Sequence, residues 1–155
     1  MKPGSLHVRF IIAWLSILLF TSFACFQGKL PNNGDSLALP IMVNSAGDTI
    51  NISSDSFLDD RYILVEFWSS TCIKCRKETA EIQSIAKDYY SKEFKEGKGL
   101  SLVTISLDGN SKNWHDYLES NKLIGPYHFR VDSAWNSKPI VESGIRYLPY
   151  TFVLN

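Results

Sequence analysis

The sequence predicts an α/β domain in which helices pack on a largely parallel central sheet. Three runs of apolar and β-branched residues have the length and character of buried strands: Tyr62–Phe67, Leu100–Leu107 and Tyr150–Leu154. Segments with helical spacing of apolar residues lie between them, and this alternation is typical of the α/β class. A Cys-x-x-Cys follows the first run after four residues, at the C-terminal end of the strand, where the sites of open α/β folds lie.

Composition limits the possible functions. The chain has 155 residues, which suits one domain, and 45% of them are hydrophobic, which is enough for a single core. Its formal net charge is +0, so no electrostatic feature favours nucleic acid as a partner.

The first 25 residues have the layout of a secretory signal peptide. Lys2 and Arg9 precede an apolar stretch, Phe10–Phe20, and small residues follow it up to Cys25. This stretch is shorter than the roughly 20 apolar residues that a spanning helix needs. The alternative is an uncleaved membrane anchor.

Cys25 refines this prediction. Ala24-Cys25 resembles the lipobox of bacterial lipoproteins, although Ser22 and Phe23 depart from its usual residues. Lipidation would also account for an otherwise odd thiol in an oxidising compartment. Cleavage after Ala24 to give a soluble exported protein is the alternative. We therefore expect a signal peptide at 1–25, a linker at 26–39, a folded domain at 40–155, and a protein tethered in the periplasm of the bacterial cell envelope.

Several further elements are predicted around the three strands. They are, in chain order, a hairpin of Ile41–Val43 and Thr49–Ile52, a single helical turn containing Phe57 and Leu58 that Ser53–Ser56 would cap, a helix from Cys72 to about Phe94, a helix carrying Trp114, a short strand at Tyr127–Val131 and a short helix at Lys138–Ser143.

The two cysteines one helical turn apart predict disulfide exchange. At the N-terminus of a helix the dipole lowers the pKa of the first thiol, Cys72, and Lys74 adds a positive charge nearby. Cys75 would then resolve the mixed disulfide that Cys72 forms. A structural disulfide or half a zinc site is the alternative, but a zinc site needs two more ligands and the chain has no second cysteine pair. No metal or other cofactor is expected.

Three further positions surround the dithiol. Glu66 lies within an apolar strand, where burial would hold its proton near neutrality and let it shuttle a proton for Cys75; the alternative is a carboxylate at the sheet edge. Trp68 is expected to serve as both site floor and core. Leu148-Pro149 precedes the last strand, where a cis peptide bond would leave the Leu148 backbone free to bind substrate, although a trans proline is the commoner case.

The segment Val65–Glu78 resembles the active-site segment of the thioredoxin-like superfamily, in particular the TlpA/ResA group of exported bacterial thiol-disulfide oxidoreductases. The resemblance extends from about Pro40 to Asn155 and includes Ser106–Asp108 and Leu148–Leu154. It implies a thioredoxin-like central mixed sheet with flanking helices and an added N-terminal β-hairpin. It also implies that Cys72 attacks, Cys75 resolves, Glu66 is the buried acid and Pro149 is the cis-proline.

The chain departs from this family in two places. Ile73-Lys74 lacks the proline that is common before the second cysteine, at a position that controls the redox potential. The family fold also continues into a further strand and helix beyond Asn155. We therefore expect a C-terminally incomplete domain whose sheet has a bare edge.

The function that the resemblance implies is that of an exported reductase of protein disulfides. Members of the group reduce exported proteins such as apocytochrome c during cytochrome c maturation, and a membrane thiol donor would supply the electrons. The alternatives are a copper-binding protein on the same fold, with His128 as its distant ligand, and a thiol peroxidase, for which Thr71 is weak support. His115 and His128 are otherwise expected to be surface or packing residues.

Overall fold

A computed structural model describes residues 39–50, 61–95, 97–123 and 127–154. Within these ranges no helix has the length and apolar character needed to cross a membrane. The predicted signal peptide, Cys25, nearly all of the linker and the helical turn containing Phe57 and Leu58 lie outside them. The described elements are β1 (Met42–Asn44), β2 (Thr49–Ile50), β3 (Tyr62–Trp68), α1 (Ile73–Tyr89), β4 (Glu93–Phe94), β5 (Gly97–Lys98), β6 (Leu100–Ser106), α2 (Ser111–Ser120), β7 (His128–Arg130), a 3-10 turn (Ala134–Asn136), α3 (Lys138–Ser143) and β8 (Tyr150–Leu154).

Six of the strands form one mixed sheet in the order β2-β1-β7-β6-β3-β8. The neighbours β3, β6 and β7 run parallel, as the alternation of strand and helix predicts. The outer pairings are antiparallel: β8 pairs with β3, and β1 pairs with both β7 and β2. The mixed sheet with an added hairpin is therefore confirmed, while "largely parallel" describes only its centre.

The two faces of β3 carry different residues because side chains alternate along a strand. Ile63, Val65 and Phe67 point into the main core, on the face that α3 covers. Glu66 and Trp68 point to the opposite face, which α1 and α2 cover. The main core comprises Met42, Ile63, Val65, Phe67, Val103, Ile105, Leu107, Phe129, Val131, Ile140 and Ile145.

The N-terminal hairpin has the predicted turn. Met42 lies opposite Ile50, and Val43 opposite Thr49. The Asn44 side chain closes the turn by accepting the N–H of Asp48 at 2.8 Å, and Gly47 supplies the positive φ of 92° that such a turn favours. Residues 51 and 52 of the predicted second strand lie outside the described residues.

The predicted end of the first helix is wrong. The helix ends at Tyr89, five residues before Phe94, and Phe94 instead pairs with Gly97 in a small hairpin. There its ring packs edge-on against Tyr62, with 5.2 Å between ring centroids. Gly99 follows at a φ of 76°, where any Cβ would collide with the backbone of Tyr90. The helical spacing of apolar residues continues as far as Phe94, but the contacts of Phe94 with distant residues place it in the hairpin.

The remaining predicted elements are confirmed with small changes at their ends. The helix carrying Trp114 begins after Asn110, whose side chain accepts the N–H of Lys112 at 2.8 Å as an N-cap. The short helix Lys138–Ser143 and the last strand Tyr150–Leu154 have the predicted bounds. In the described part of the chain, β8 lies at one end of the strand order and pairs with β3 alone.

Candidate active site

The dithiol lies where β3 turns into α1. The strand ends at Trp68, and the Cys72 N–H closes a turn by donating to the Ser69 carbonyl at 3.0 Å. Cys72 is the N-cap of the helix and not its first residue, with an extended φ of −83° and ψ of 107°. Its Sγ accepts the N–H of Cys75 at 3.0 Å. This sulfur therefore lies at the N-terminus of the helix, where the Cys75 N–H and the helix dipole stabilise a thiolate.

The two sulfurs differ in their access to solvent. The structure shows them joined as a Cys72–Cys75 disulfide. Cys72 is half-buried, whereas Cys75 is 0% exposed. The predicted difference between an accessible first thiol and a protected second one is therefore present in the geometry. The Lys74 ammonium lies 3.6 Å from the Glu78 carboxylate, so it pairs along the helix surface.

Glu66 is buried beneath α1. Its side chain is 0% exposed. Burial raises the pKa of Glu66 from 4.5 to about 7; a hydrogen bond from Thr79 opposes this rise, and the nearby Glu78 carboxylate adds to it. This setting excludes the alternative of a carboxylate at the sheet edge, because β3 has neighbours on both sides.

Thr79 links Glu66 to the dithiol, and sequence reasoning missed it. Its hydroxyl lies 3.1 Å from Glu66 Oε1 and 2.8 Å from the Cys75 carbonyl oxygen. The second carboxyl oxygen, Oε2, has no hydrogen-bond partner among the described residues. A threonine four residues after Cys75 was a usable signal, because that spacing places both residues on one face of the helix.

Trp68 forms the floor of the site from within the core. It is 0% exposed and belongs to a second buried cluster with Cys75, Trp114 and Leu118. Its indole packs against the Tyr117 ring at a centroid distance of 4.9 Å. Because the indole is fully buried, it has no surface that a bound peptide could contact. Trp68 can therefore contribute to substrate binding only indirectly, by packing beneath Cys72.

The Leu148–Pro149 peptide bond is cis, as the family resemblance predicts and against the commoner trans case. Leu148 is half-buried and packs against the cluster that contains Trp68 and Cys75. Pro149 is buried. The loop before β8 therefore lies beside the dithiol.

A groove of about 720 Å³ runs between α1 and α2, and Thr71 and Ile73, the two neighbours of Cys72 in the chain, are among its lining residues. Its α1 side carries two cations, Arg76 and Lys77, and its α2 side carries Asp116, whose carboxylate is paired with Lys112 at 2.6 Å. The full lining comprises Ser70, Thr71, Ile73, Arg76, Lys77, Asn113, Asp116, Tyr117, Ser120 and Asn121. The chain neighbours of Cys72 thus face an open cleft.

The two histidines among the described residues, His115 and His128, make packing contacts. His128 is 7% exposed on β7, which β6 separates from β3, and its Nδ1 lies 2.7 Å from the Thr104 hydroxyl. Burial lowers the pKa of His128, which favours a neutral, packed imidazole. His115 contacts the Trp114 ring. In residues 39–50, 61–95, 97–123 and 127–154, no three His, Cys, Asp or Glu side chains are grouped so as to hold a metal ion.

The site is that of a thiol-disulfide oxidoreductase. It combines a disulfide-forming cysteine pair at a helix N-terminus with a buried carboxyl group and a loop that contains a cis-proline. A sequence model of the thioredoxin-like family matches residues 59–155, so the chain belongs to that family. This confirms the predicted fold and enzyme class.

Named relatives agree with this assignment. The sporulation thiol-disulfide oxidoreductase A of Bacillus subtilis (strain 168) is 28% identical over 145 residues, which cover 90% of this chain and 79% of that protein. The crystal structure of StoA from Bacillus subtilis has a TM-score of 0.53 and 27% identity, over 76% of this chain and 82% of that chain. A thiol-disulfide oxidoreductase from Bacteroides fragilis NCTC 9343 has a TM-score of 0.62 at 23% identity, over 77% of this chain and 82% of that chain, and shows the shared fold.

Proposed function

We propose that this chain is an exported reductase of protein disulfides in the bacterial cell envelope, with Cys72 as the attacking thiol. The observation that carries the proposal is the unequal setting of the two sulfurs. Cys72 is half-buried at the N-terminus of α1 beside an open groove, whereas Cys75 is fully buried one turn further along the helix. A substrate disulfide can therefore reach the first sulfur and not the second.

The proposed reaction proceeds in two exchanges. The Cys72 thiolate attacks one sulfur of the substrate disulfide, forms a mixed disulfide and releases the other substrate sulfur as a thiolate. Cys75 then loses its proton and attacks Cys72 Sγ, which forms the Cys72–Cys75 disulfide and releases the second substrate thiolate. Two electrons pass from the dithiol to the substrate, and the two released thiolates take up protons.

Glu66 is proposed to accept the proton of Cys75 in the second exchange. A pKa of about 7 leaves comparable populations of the two protonation states near neutral pH, which suits a group that takes up and returns a proton. Thr79 supports this role, because its hydroxyl lies within hydrogen-bond distance of both the Glu66 carboxyl group and the Cys75 carbonyl.

Substrate binding is assigned to the surface around Cys72. We assign Leu148 and Pro149 to one side of an extended substrate segment, the groove between α1 and α2 to the other, and Trp68 to the supporting floor. The packing of Leu148 against the cluster of Trp68 and Cys75 supports this assignment.

Export and tethering are proposed from the sequence. The signal-like residues 1–25, the lipobox-like Ala24-Cys25 and a linker at 26–39 support a domain that begins at residue 40 and is held at the membrane through lipidated Cys25. Protein disulfides would be its substrates, with apocytochrome c as one candidate. A membrane thiol donor would re-reduce the dithiol, because an exported domain has no access to cytosolic reductants.

The proposal is tested with the purified chain and a disulfide-bonded protein such as insulin. The reduced protein should cleave the disulfide stoichiometrically, Cys72→Ser should be inactive, and Cys75→Ser should accumulate a mixed disulfide through Cys72 that mass spectrometry detects. Equilibration with glutathione then tests the direction. A potential near that of thioredoxin, about −270 mV, supports a reductase, whereas one near that of DsbA, about −120 mV, would contradict it.

Localisation requires a separate experiment. Expression of the full chain in a bacterium with radiolabelled palmitate should label the wild type and not Cys25→Ser. Export of both proteins without label would overturn lipidation while leaving the exchange chemistry intact.

A further inference from the structure

A buried carboxylate outside the predicted site holds the loop that leads into the dithiol. Asp108 is 3% exposed and follows β6. Its Oδ1 accepts hydrogen bonds from the hydroxyls of Ser69 at 2.7 Å and Ser70 at 2.9 Å. Its Oδ2 accepts from the Ser70 N–H at 2.9 Å and from the Ser106 hydroxyl at 2.7 Å. Four donors thus converge on one carboxylate.

This network extends to Cys72. The Ser69 hydroxyl lies 3.0 Å from the Thr71 hydroxyl and 3.3 Å from the Thr71 N–H. The Ser69 carbonyl accepts the Cys72 N–H at 3.0 Å, in the turn that presents Cys72 as the N-cap. The position of the attacking sulfur therefore depends on the two serines that Asp108 holds.

Asp108 itself is fixed from the side of the sheet. Its N–H donates to the Ser106 hydroxyl at 3.0 Å, and its carbonyl oxygen accepts from Arg130 Nη1 at 3.4 Å. Arg130 forms its ion pair with Asp132 and not with the Asp108 carboxylate. Among the described residues, no lysine or arginine lies within ion-pair distance of that carboxylate, so its charge is balanced by neutral donors alone.

We propose that Asp108 is a positioning residue for thiol-disulfide exchange. It fixes the 69–71 loop, and its negative charge disfavours the Cys72 thiolate. The inference rests on the proposed attack by Cys72. A dithiol whose thiolate is stabilised is easily reduced and acts as an oxidant, and a nearby anion has the opposite effect. Asp108 would thus keep the dithiol reducing, in a chain that lacks the usual proline between its cysteines. Among the described residues, the other charges around the site are Glu66 in the sheet, Lys74, Arg76, Lys77 and Glu78 on α1, Lys112 with Asp116 on α2, and Arg130 with Asp132.

The experiment compares Asp108→Asn, which removes the charge and keeps the shape, with Asp132→Asn, which removes a charge from the same region without touching the loop. Cys72 ionisation is followed by the pH dependence of alkylation of the reduced full chain with iodoacetamide. For Asp108→Asn, the alkylation midpoint should move down by about half to one pH unit. The glutathione equilibrium should shift toward the dithiol by about three- to tenfold, or about 15–30 mV. Asp132→Asn should change either quantity less than twofold.

A second variant separates position from charge. Ser69→Ala combined with Ser70→Ala removes two of the hydrogen bonds and leaves the carboxylate in place. It should slow alkylation of Cys72 at a fixed thiolate fraction by about two- to fivefold and leave the glutathione equilibrium within about twofold of the wild type.

The proposal is overturned if Asp108→Asn leaves both quantities at wild-type values, or moves them no further than Asp132→Asn does. If circular dichroism shows that Asp108→Asn does not fold, the double serine variant decides, and unchanged alkylation kinetics in it would overturn the proposal. Alkylation needs no protein substrate. A wild type that fails to reduce insulin would therefore refute the proposed function without affecting this measurement.

Discussion

Replacement of Glu66 by glutamine should stabilise the folded protein while it slows the exchange. The pKa of Glu66 rises from 4.5 to about 7 on folding, chiefly through burial. Because the folded state holds this proton more tightly than the unfolded state, stability is full below pH 4.5 and falls as the pH rises to 7. At about 1.4 kcal/mol for each pKa unit, the loss across that interval is about 3 kcal/mol. The glutamine side chain cannot ionise, so the variant avoids this loss. Its gain in unfolding free energy is smaller by about 1 kcal/mol if the hydrogen bond with Thr79 weakens.

The measurement is urea unfolding of the oxidised wild type and Glu66→Gln at several pH values between 4.5 and 8. The difference in unfolding free energy should grow with pH in favour of the variant and level off above about pH 7. Glu81→Gln, at an exposed position on the same helix, is the matched control and should follow the wild type. If the wild-type and Glu66→Gln curves run parallel across the whole interval, the carboxyl group does not titrate as described and its proposed use as a proton acceptor fails with it.

Further substitutions test Thr79 and two glycines at positive φ. Thr79→Val removes the hydrogen bond that opposes the rise in the pKa of Glu66, so the pH midpoint of insulin reduction should move up by about half a unit. Thr79→Ser keeps a hydroxyl and should return the midpoint to the wild-type value. The same midpoint in the wild type and both variants would exclude a role for the hydroxyl. Gly99→Ala places a Cβ against the backbone of Tyr90 at positive φ and should cost about 2–4 kcal/mol of unfolding free energy. Gly47→Ala, with a φ of 92° but open space around it, should cost about 1 kcal/mol, and equal losses at the two glycines would show that the collision at Gly99 is relieved.

The sequence allowed the fold and the position of the dithiol to be predicted because both depend on local patterns. Most residues of the strands that begin at Tyr62 and Leu100 are apolar or β-branched, as is typical of strands buried on both faces. The cysteine spacing fixes one helical turn wherever that helix lies. Glu66 could be found for the same reason, since a lone carboxylate inside an apolar strand has no route to solvent.

The parts that failed depend on contacts between distant segments. Phe94 continues the helical spacing, and only its packing against Tyr62 shows that the helix has already ended. Asp108 follows a strand as many surface residues do, and its importance comes from Ser69 and Ser70, 39 and 38 residues earlier in the chain. Hydrogen bonds between residues that far apart in the chain leave no periodic pattern in the sequence. The contact of Asp108 with the 69–71 loop could therefore be recognised only in the structure.

The complete burial of Cys75 also dictates the order in which partners can arrive. The donor that reduces the disulfide and the substrate that oxidises the dithiol must both react at Cys72. They therefore cannot be bound to the protein at the same time. Turnover would then follow a double-displacement scheme with parallel lines in double-reciprocal plots, and an excess of either partner would inhibit by occupying the wrong redox form. The throughput of the protein in the cell would be governed by the ratio of its two partners as much as by the affinity for either.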